Sequence, residues 1–228
     1  HEKILQQYNK EDQEKLFVIK PLYQRALIVF GGPLANFLLA LVIFFSIYTF
    51  IGKDFTPAVI NEVQKDSPAM TGGLKQNDII LEIDGNNVQS IMEVSKYITM
   101  STADIIDFKV KRSYEELVLK IKPNIVLSED NLGNQINKRI VGIKLGAYNN
   151  EINHVKLGPA QAIYHAANEV YYVSISSLKY IGAMIFGKAD TSQLGGPIRI
   201  AKISGQVAEF GVLAFISMMA YISISLGL

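Results

Sequence analysis

The chain has 228 residues and a formal net charge of +1, and 49% of its residues are hydrophobic whereas only 19% are charged. This balance favours a membrane protein and gives no indication of nucleic-acid binding. The chain has no cysteine, which excludes disulfide bonds and thiolate metal ligands.

The first 25 residues are predicted to form a cytoplasmic segment next to a membrane. They are polar and mixed in sign, and they precede a long apolar run. The basic residues close before that run are Lys10, Lys15, Lys20 and Arg25, and those close after it are Lys53 and Lys65. The positive-inside rule therefore places the N-terminal side in the cytoplasm. The chain opens on His1-Glu2 and ends within an apolar run, so we expect an internal fragment of a longer protein.

Residues 26–52 are predicted to form a transmembrane helix. No charged side chain occurs from Ala26 to Ile51, about 26 residues, and about 20 apolar residues suffice to cross the hydrocarbon core. The alternative, a buried helix of a soluble protein, would show a polar stripe at the helical period. Because proline suits the first helical turn, the helix is predicted to begin near Pro33.

Gly32 and Asn36 are four residues apart and therefore share one face of this helix. A glycine lets a second backbone approach closely, and an asparagine offers that backbone hydrogen bonds. We expect the face to lie against a second helix or a substrate backbone. The alternative is that Asn36 lies among lipid headgroups.

From Pro57 onwards the sequence has the pattern of a small soluble domain. The predicted elements are strands over 58–63 and 78–83, helices over 69–73 and 90–100, a hairpin of 105–111 with 117–121, a polar loop over 124–138 and a last strand over 139–145. The motifs Ser67-Pro68-Ala69, Gly73-Leu74, Asn77-Asp78-Ile79-Ile80 and Ile83-Asp84-Gly85 resemble the core signature of a PDZ domain. Residues 57–147 are assigned to this domain on that resemblance, in its circularly permuted bacterial form.

The PDZ resemblance implies a groove that binds a peptide as an added strand. The groove would be lined by Ile91, Val94 and Ile98 from the helix and by Ile140, Val141, Gly142 and Ile143 from the last strand. The alternative for the three helix residues is that they fill the domain core, which their spacing alone favours.

Residues 158–209 are predicted to form an amphipathic helix in the membrane interface and a turn region, because Glu169 and Lys179 interrupt the apolar pattern. Residues 210–228 are predicted to start a further transmembrane helix. His154 and His165 have no partner at the spacing of metal ligands, so neither is predicted to bind a metal.

Taken in order, these features resemble the bacterial branch of the site-2 protease family, which are intramembrane zinc metalloproteases. Gly32 to Asn36 match the family's GxxxN motif, which lies near the active site and helps to hold the substrate. Leu194-Gly195-Gly196-Pro197-Ile198 resembles the approach to the family's third transmembrane helix. The implied fold class is an α-helical integral membrane protein of the bacterial inner membrane with an inserted α+β PDZ domain on the periplasmic side.

The resemblance also implies a function, regulated intramembrane proteolysis. A zinc endopeptidase would cleave transmembrane segments of membrane proteins, with the PDZ domain gating access. The implied partners are the lipid bilayer and transmembrane substrates such as anti-sigma factors or signal-peptide remnants.

The zinc site of the family needs motifs that this sequence lacks. A HExxH helix supplies two histidine ligands and a glutamate base, and an LDG motif supplies an aspartate. His1-Glu2 begins like HExxH, but Leu5 stands where the second histidine would be. We therefore expect the Zn²⁺ ligands and the catalytic glutamate to lie outside this chain. The alternatives are a non-catalytic, membrane-anchored PDZ adaptor and a serine protease or secretion component with a PDZ domain between its spans.

Overall fold

The structure, a computed structural model, describes residues 16–17, 19–129, 135–148, 151–187 and 197–228. Its helices are α1 (Leu22–Ser46), α2 (Pro68–Thr71), α3 (Ile91–Met100), α4 (Pro159–Ile185), α5 (Pro197–Glu209) and α6 (Val212–Gly227). Its strands are β1 (Lys53–Asp54), β2 (Ala58–Val63), β3 (Ile79–Ile83), β4 (Asn86–Asn87), β5 (Ile106–Arg112), β6 (Glu115–Ile121), β7 (Asn124–Glu129), β8 (Gln135–Ile140), β9 (Ile143–Ala147) and β10 (His154–Val155). The predictions for residues 1–15 and for residues 194–196 of the Leu194 to Ile198 motif lie outside the described residues.

The first long helix begins earlier than predicted. α1 begins at Leu22, directly after Pro21, and Pro33 lies in its interior. The predicted start near Pro33 is therefore wrong. The apolar sequence continues for three turns before Pro33, and an interior proline is tolerated where a neighbouring helix packs against it. The helix continues as a π-helix over Ile47–Ile51, and residues 22–51 together are long and apolar enough to cross a membrane.

The helices α1, α4 and α6 pack through small and apolar side chains. The buried members of this cluster are Ala40, Phe44, Ala166, Val173, Ala220 and Ile224. Gly227 of α6 lies against α1, where a Cβ at this position would be 3.1 Å from the Pro33 carbonyl oxygen. Small residues at such a crossing let two helices approach closely.

Residues 58–147 form the PDZ-like domain, whose main sheet has the strand order β6-β5-β3-β2-β9, with β4 paired to β3. The strand predicted over 58–63 and the hairpin of β5 with β6 are confirmed. The predicted helix over 90–100 is confirmed as α3, where Ser90 is the N-cap and its hydroxyl accepts from the Glu93 N–H. The core between the sheet and the helices α2 and α3 is formed by buried residues that include Ile60, Ile80, Val94, Phe108 and Ile121.

The end of the PDZ-like domain differs from the prediction. The predicted strand over 139–145 is split, because Gly142 has a φ of +80° and ends the extended run between β8 and β9. A Cβ at Gly142 would collide with Ser67, so only glycine fits. The predicted polar loop over 124–138 is also wrong. Its described parts form the hairpin of β7 with β8.

Two short strands connect the PDZ-like domain to the helices. β1 pairs with β10 in an antiparallel ribbon, with Lys53 opposite Val155 and Asp54 opposite His154. The ribbon lies at the end of the first long helix, where the Leu157 N–H donates to the Tyr48 carbonyl oxygen at 3.0 Å. The domain therefore enters and leaves the helical part at one place.

Candidate functional site

Gly32 and Asn36 lie on one face of α1 beside α6. The Ser223 hydroxyl of α6 donates a hydrogen bond of 2.9 Å to the Asn36 carbonyl oxygen. Asn36 is half-buried, and no hydrogen bond to its side-chain amide is found among the described residues. No described atom outside the helix's own backbone lies within 4 Å of a Cβ placed at Gly32. The face is thus covered by α6 at Asn36 and open at Gly32.

This geometry leaves hydrogen-bonding capacity next to open space. An asparagine side chain carries two N–H donors and a carbonyl acceptor. An extended backbone, unlike a helical one, has free N–H and C=O groups that need such partners in an apolar environment. The face can therefore receive an unwound segment, which is the chemistry that the GxxxN resemblance implies.

The residues predicted to line the peptide groove lie mainly in the domain core. Val94 and Val141 are almost fully buried, Ile98 is buried, and Ile91 and Ile143 are partly buried against the same core. Their burial favours the core alternative for the helix residues. Ile140 ends β8, and Gly142 turns the chain into β9. β9 is an edge strand of the main sheet, paired only with β2 among the described strands, so a position for an added strand exists.

Arg139, which the sequence analysis did not single out, fastens the hairpin of β7 with β8 to α3. Its guanidinium donates to the carbonyl oxygens of Ser101 and Ala103, just after the helix. Burial lowers the pKa of Arg139. This contact closes the C-terminal end of α3.

A cluster of charged and tyrosine side chains, which we call the junction cluster, lies between the PDZ-like domain and the helices. It consists of Lys53, Glu93, Lys96, Tyr97, Glu169, Tyr172 and Tyr221. The Lys96 ammonium lies 2.9 and 3.1 Å from the two carboxylate oxygens of Glu169. The Tyr221 hydroxyl donates to the same carboxylate at 3.0 Å.

The surroundings of Lys96 strengthen this ion pair. Its ammonium lies 5.2 Å from the ring centre of Tyr97 and 5.0 Å from that of Tyr172, within the range of cation–π attraction. Burial raises the pKa of both tyrosines. A second ion pair joins Lys53 to Glu93 at 3.0 Å.

The sequence contained a signal for the junction cluster. Glu169 was interpreted only as an interruption of an apolar helix. It occurs, however, at the buried period of α4, with Ala162, Ala166 and Val173. A carboxylate at such a position needs a buried partner, but the sequence does not say which cation supplies it.

His165 packs against aromatic rings, and the described residues do not fit a zinc site. The His165 ring lies edge-on to Phe55 and Tyr164, with ring centres at 5.6 and 5.4 Å. Burial and the Lys53 charge lower its pKa. No group of three or more His, Asp or Glu side chains that could hold a metal ion occurs within the described part of the chain. No catalytic step through zinc follows from these residues.

A family model identifies the protein family to which this chain belongs. The family model described as peptidase family M50 matches residues 5–228. The chain belongs to peptidase family M50. The predicted membership of the site-2 protease family is thereby confirmed.

The relatives of this M50 chain are named as proteases. It is 34% identical over 207 residues to "Putative zinc metalloprotease" of Agrobacterium fabrum, covering 91% of this chain and 55% of that protein. It is 32% identical over 229 residues to a protein of the same name from Rickettsia conorii, covering 100% of this chain and 64% of that protein. The chain is also 28% identical over 195 residues to "Metalloprotease MmpA" of Caulobacter vibrioides, and the match covers 86% of this chain and 48% of that protein. The chain thus spans about half to two thirds of the length of these relatives.

Among solved structures, the chain is similar to the PDZ domain of the SdrC-like protein from Listeria monocytogenes. The identity is 27% and the TM-score 0.32, and the match covers 40% of this chain and 88% of that domain. The PDZ-like assignment rests on the strand order and the placement of α3 rather than on this likeness.

Proposed function

We propose that this chain is the substrate-handling part of an intramembrane zinc metalloprotease that cleaves transmembrane segments during regulated proteolysis. The observation that supports this role is the open Gly32 side of the Gly32–Asn36 face, next to an asparagine amide with unused hydrogen-bonding capacity. The Zn²⁺ ligands and the catalytic glutamate are contributed by other parts of the protein.

The proposal includes an integral membrane location. Only 11% of the most apolar window of α1 is buried inside the chain, whereas the core helix of a soluble protein would be largely buried. Leu27, Phe30 and Leu34 are among its exposed side chains, and lipid is the solvent that favours their exposure. The N-terminal side lies in the cytoplasm and the PDZ-like domain lies in the periplasm of a bacterial inner membrane.

Asn36 acts by receiving the unwound substrate. A substrate helix has to open locally before its peptide bond becomes accessible, because helical backbone groups are already paired. The Asn36 amide replaces part of the hydrogen bonding that the helix gives up, at roughly 1 kcal/mol net for each bond.

Cleavage of a model single-span substrate by the longer protein tests this role. Asn36→Leu removes the amide at similar volume and should lower the cleavage rate about fivefold, the equivalent of one hydrogen bond of about 1 kcal/mol. Leu38→Ala is the matched control on the opposite side of α1 and should leave cleavage unchanged. Unchanged cleavage by Asn36→Leu at normal protein levels would contradict the proposal.

The PDZ-like domain is proposed to limit access to this face. It is fastened to the helices through the ribbon of β1 with β10 and through the junction cluster. Replacing residues 57–145 by a short linker should permit cleavage of substrates that keep large outer domains. Cleavage of substrates already trimmed should stay unchanged, which controls for folding. If this variant still does not cleave untrimmed substrates, the proposed gating role is wrong.

A further inference from the structure

The interface between the PDZ-like domain and α4 combines buried charges with tyrosine rings and is incompletely packed. Two cavities of about 250 and 440 Å³ lie along it, and both are lined by Asn86, Tyr97, Tyr171 and Tyr172. Two domains of one chain are expected to move relative to each other unless the interface between them is large and hydrophobic. This interface is therefore suited to opening.

The contacts that cross the interface include the edge-on rings of Tyr97 and Tyr172, with centres 4.8 Å apart, and the Lys96–Glu169 ion pair. Lys96 belongs to α3 of the PDZ-like domain, and Glu169 belongs to α4. Both side chains are largely buried, with exposed fractions of 20% and 10%. Two charges removed from water need each other, because an unpaired buried charge is strongly unfavourable.

The same carboxylate connects the PDZ-like domain to the substrate-handling helices. Glu169 accepts the hydrogen bond from Tyr221 of α6. Two residues further along α6, Ser223 donates to the Asn36 carbonyl oxygen. A displacement of Glu169 therefore acts on the helix that positions Asn36.

We propose that Lys96 and Glu169 form a latch that holds the PDZ-like domain against α4, with the Glu169 carboxylate positioned by the Tyr221 hydroxyl of α6. Release of the latch lets the domain swing about the ribbon of β1 with β10. The latch deepens the proposed gating role and rests on it, since it determines how often the Gly32–Asn36 face is accessible.

The physical balance of a buried ion pair makes such a latch reversible. The desolvation that the pair suffers in the closed state offsets much of its attraction, so the closed state dominates by a margin small enough for the loss of one partner to overturn. Opening along the existing cavities lets water reach both charges and restores their hydration. An apolar contact of equal area would lack this compensation.

Distance measurements by pulsed electron paramagnetic resonance test the latch without a protease assay. The chain contains no cysteine, so Tyr114→Cys and Ile185→Cys provide two defined spin-label sites. Tyr114 is 98% exposed at the turn of β5 with β6, and Ile185 is exposed at the end of α4. The labelled chain in lipid nanodiscs should give one narrow distance distribution.

Lys96→Met should add a second, longer distance and raise its population about tenfold. Lys109→Met is the matched control, because Lys109 pairs with Glu82 and Glu116 inside the PDZ-like domain, away from the interface, and it should leave the distribution narrow. The charge-swapped variant Lys96→Glu with Glu169→Lys should restore the narrow distribution. A single narrow distribution in the Lys96→Met variant would overturn the latch.

Glu169→Gln keeps the test decisive if Lys96→Met does not fold. It removes the charge that pairs with Lys96 at nearly constant volume and should also raise the open population. If Glu169→Gln leaves the distances unchanged, the latch is wrong.

A reversible lock separates the latch from the proposed function. In the longer protein, Lys96→Cys and Glu169→Cys joined by a short methanethiosulfonate cross-linker should block cleavage of the model substrate, and a reducing agent should restore it. An open population in Lys96→Met without any effect of the lock on cleavage would leave the latch standing and refute the gating role. If Asn36→Leu cleaves the model substrate at the normal rate, the substrate-handling role is refuted, whereas the distance measurements on the latch still stand.

Discussion

Asp78 links two parts of the PDZ-like domain through one buried carboxylate. It accepts hydrogen bonds of 2.7 Å from both Nε and Nη2 of Arg112 and one of 2.8 Å from the Lys75 N–H. Arg112 Nη2 also donates to the Gly73 carbonyl oxygen at 2.7 Å. The turn after α2 is thereby fixed to the end of β5. Bidentate pairs of this kind are among the stronger hydrogen-bonded contacts in proteins.

We predict that Arg112→Met lowers the free energy of unfolding of the PDZ-like domain by about 3–5 kcal/mol. The reason is that Asp78 is fully buried and loses its only cationic partner among the described residues. Hydrogen exchange of the Ile80 amide in the intact chain measures the change.

Lys109→Met is the control for Arg112→Met. In the unsubstituted chain the Lys109 ammonium lies 3.2 Å from a carboxylate oxygen of Glu82 and 3.0 Å from one of Glu116, and both carboxylates are partly exposed to solvent. Solvent screens such pairs, so this variant should change the exchange rate far less. Equal effects of the two variants would show that the burial of Asp78 does not matter.

Single residues also mark the limit of the sequence analysis. The Asn77-Asp78 motif was recognised, but its partner Arg112 lies 34 residues away and no local pattern connects the two. The same holds for Lys96 and Glu169, which are 73 residues apart. Periodicity identifies which positions are buried, whereas pairing across the fold depends on tertiary geometry.

The crossing of α1 and α6 is the element on which the Gly32–Asn36 face depends. Gly227 leaves room for the Pro33 carbonyl oxygen and the Phe37 ring, and an added Cβ would lie 3.1 Å from each. Gly227→Leu should separate the two helices and destabilise the helical part by about 1–3 kcal/mol, as overpacking does. Thermal unfolding in detergent micelles measures this loss.

Gly182→Leu is the matched control for Gly227→Leu. Gly182 lies in α4, and no atom of the described residues lies within 4 Å of its added Cβ apart from nearby helix backbone. A leucine there meets open space and should leave the midpoint of thermal unfolding nearly unchanged. If Gly227→Leu is equally harmless, α1 and α6 are not closely packed.

Elements with complete local signals were predicted well. β2 agrees with the prediction at both ends, and α3 follows from the Ser90 cap and the apolar spacing of Ile91, Val94 and Ile98. The strand over 139–145 was wrong because Gly142 was treated as part of an extended run. Gly142 has a φ of +80° and lies against Ser67, a contact that the local sequence does not reveal. The start of α1 was wrong because proline was treated as a beginning, although a packed helix can contain one.

For the whole molecule, the placement of the chain in a bilayer can be measured directly. The chain contains no tryptophan, so each introduced one reports alone. We predict that Leu34→Trp, on the exposed side of α1, is quenched by lipids brominated deep in their acyl chains. Tyr114→Trp, in the PDZ-like domain, should be quenched by aqueous acrylamide instead.

A third variant tests the interfacial helix predicted for residues 158–209. Ile181 is exposed on α4, and Ile181→Trp should be quenched more by bromine near the headgroups than by bromine at the bilayer centre. Deep quenching would make α4 a membrane-crossing helix. Quenching by acrylamide alone would place it in water.

At the scale of the whole molecule, the order of the motifs along the chain predicted the family. Their arrangement in space could not be predicted from the sequence. A glycine-asparagine helix followed by PDZ motifs and a second apolar run is readable along the chain. The position of α4 depends on one buried face, from which Ala166 and Val173 pack on the helices and Glu169 pairs with Lys96 of the PDZ-like domain. These contacts involve elements far apart in sequence, which no local window contains.

The hydrogen bond from Ser223 to Asn36 spans 187 residues, and this separation has a consequence for biosynthesis. At about 5–20 residues per second, α1 leaves the ribosome about 10–40 s before α6. Every strand of the PDZ-like domain is translated within that interval, so the domain can fold while α1 still lacks its companion. During that interval Asn36 lacks the contact with Ser223, so the Gly32–Asn36 face is completed only when α6 has been made.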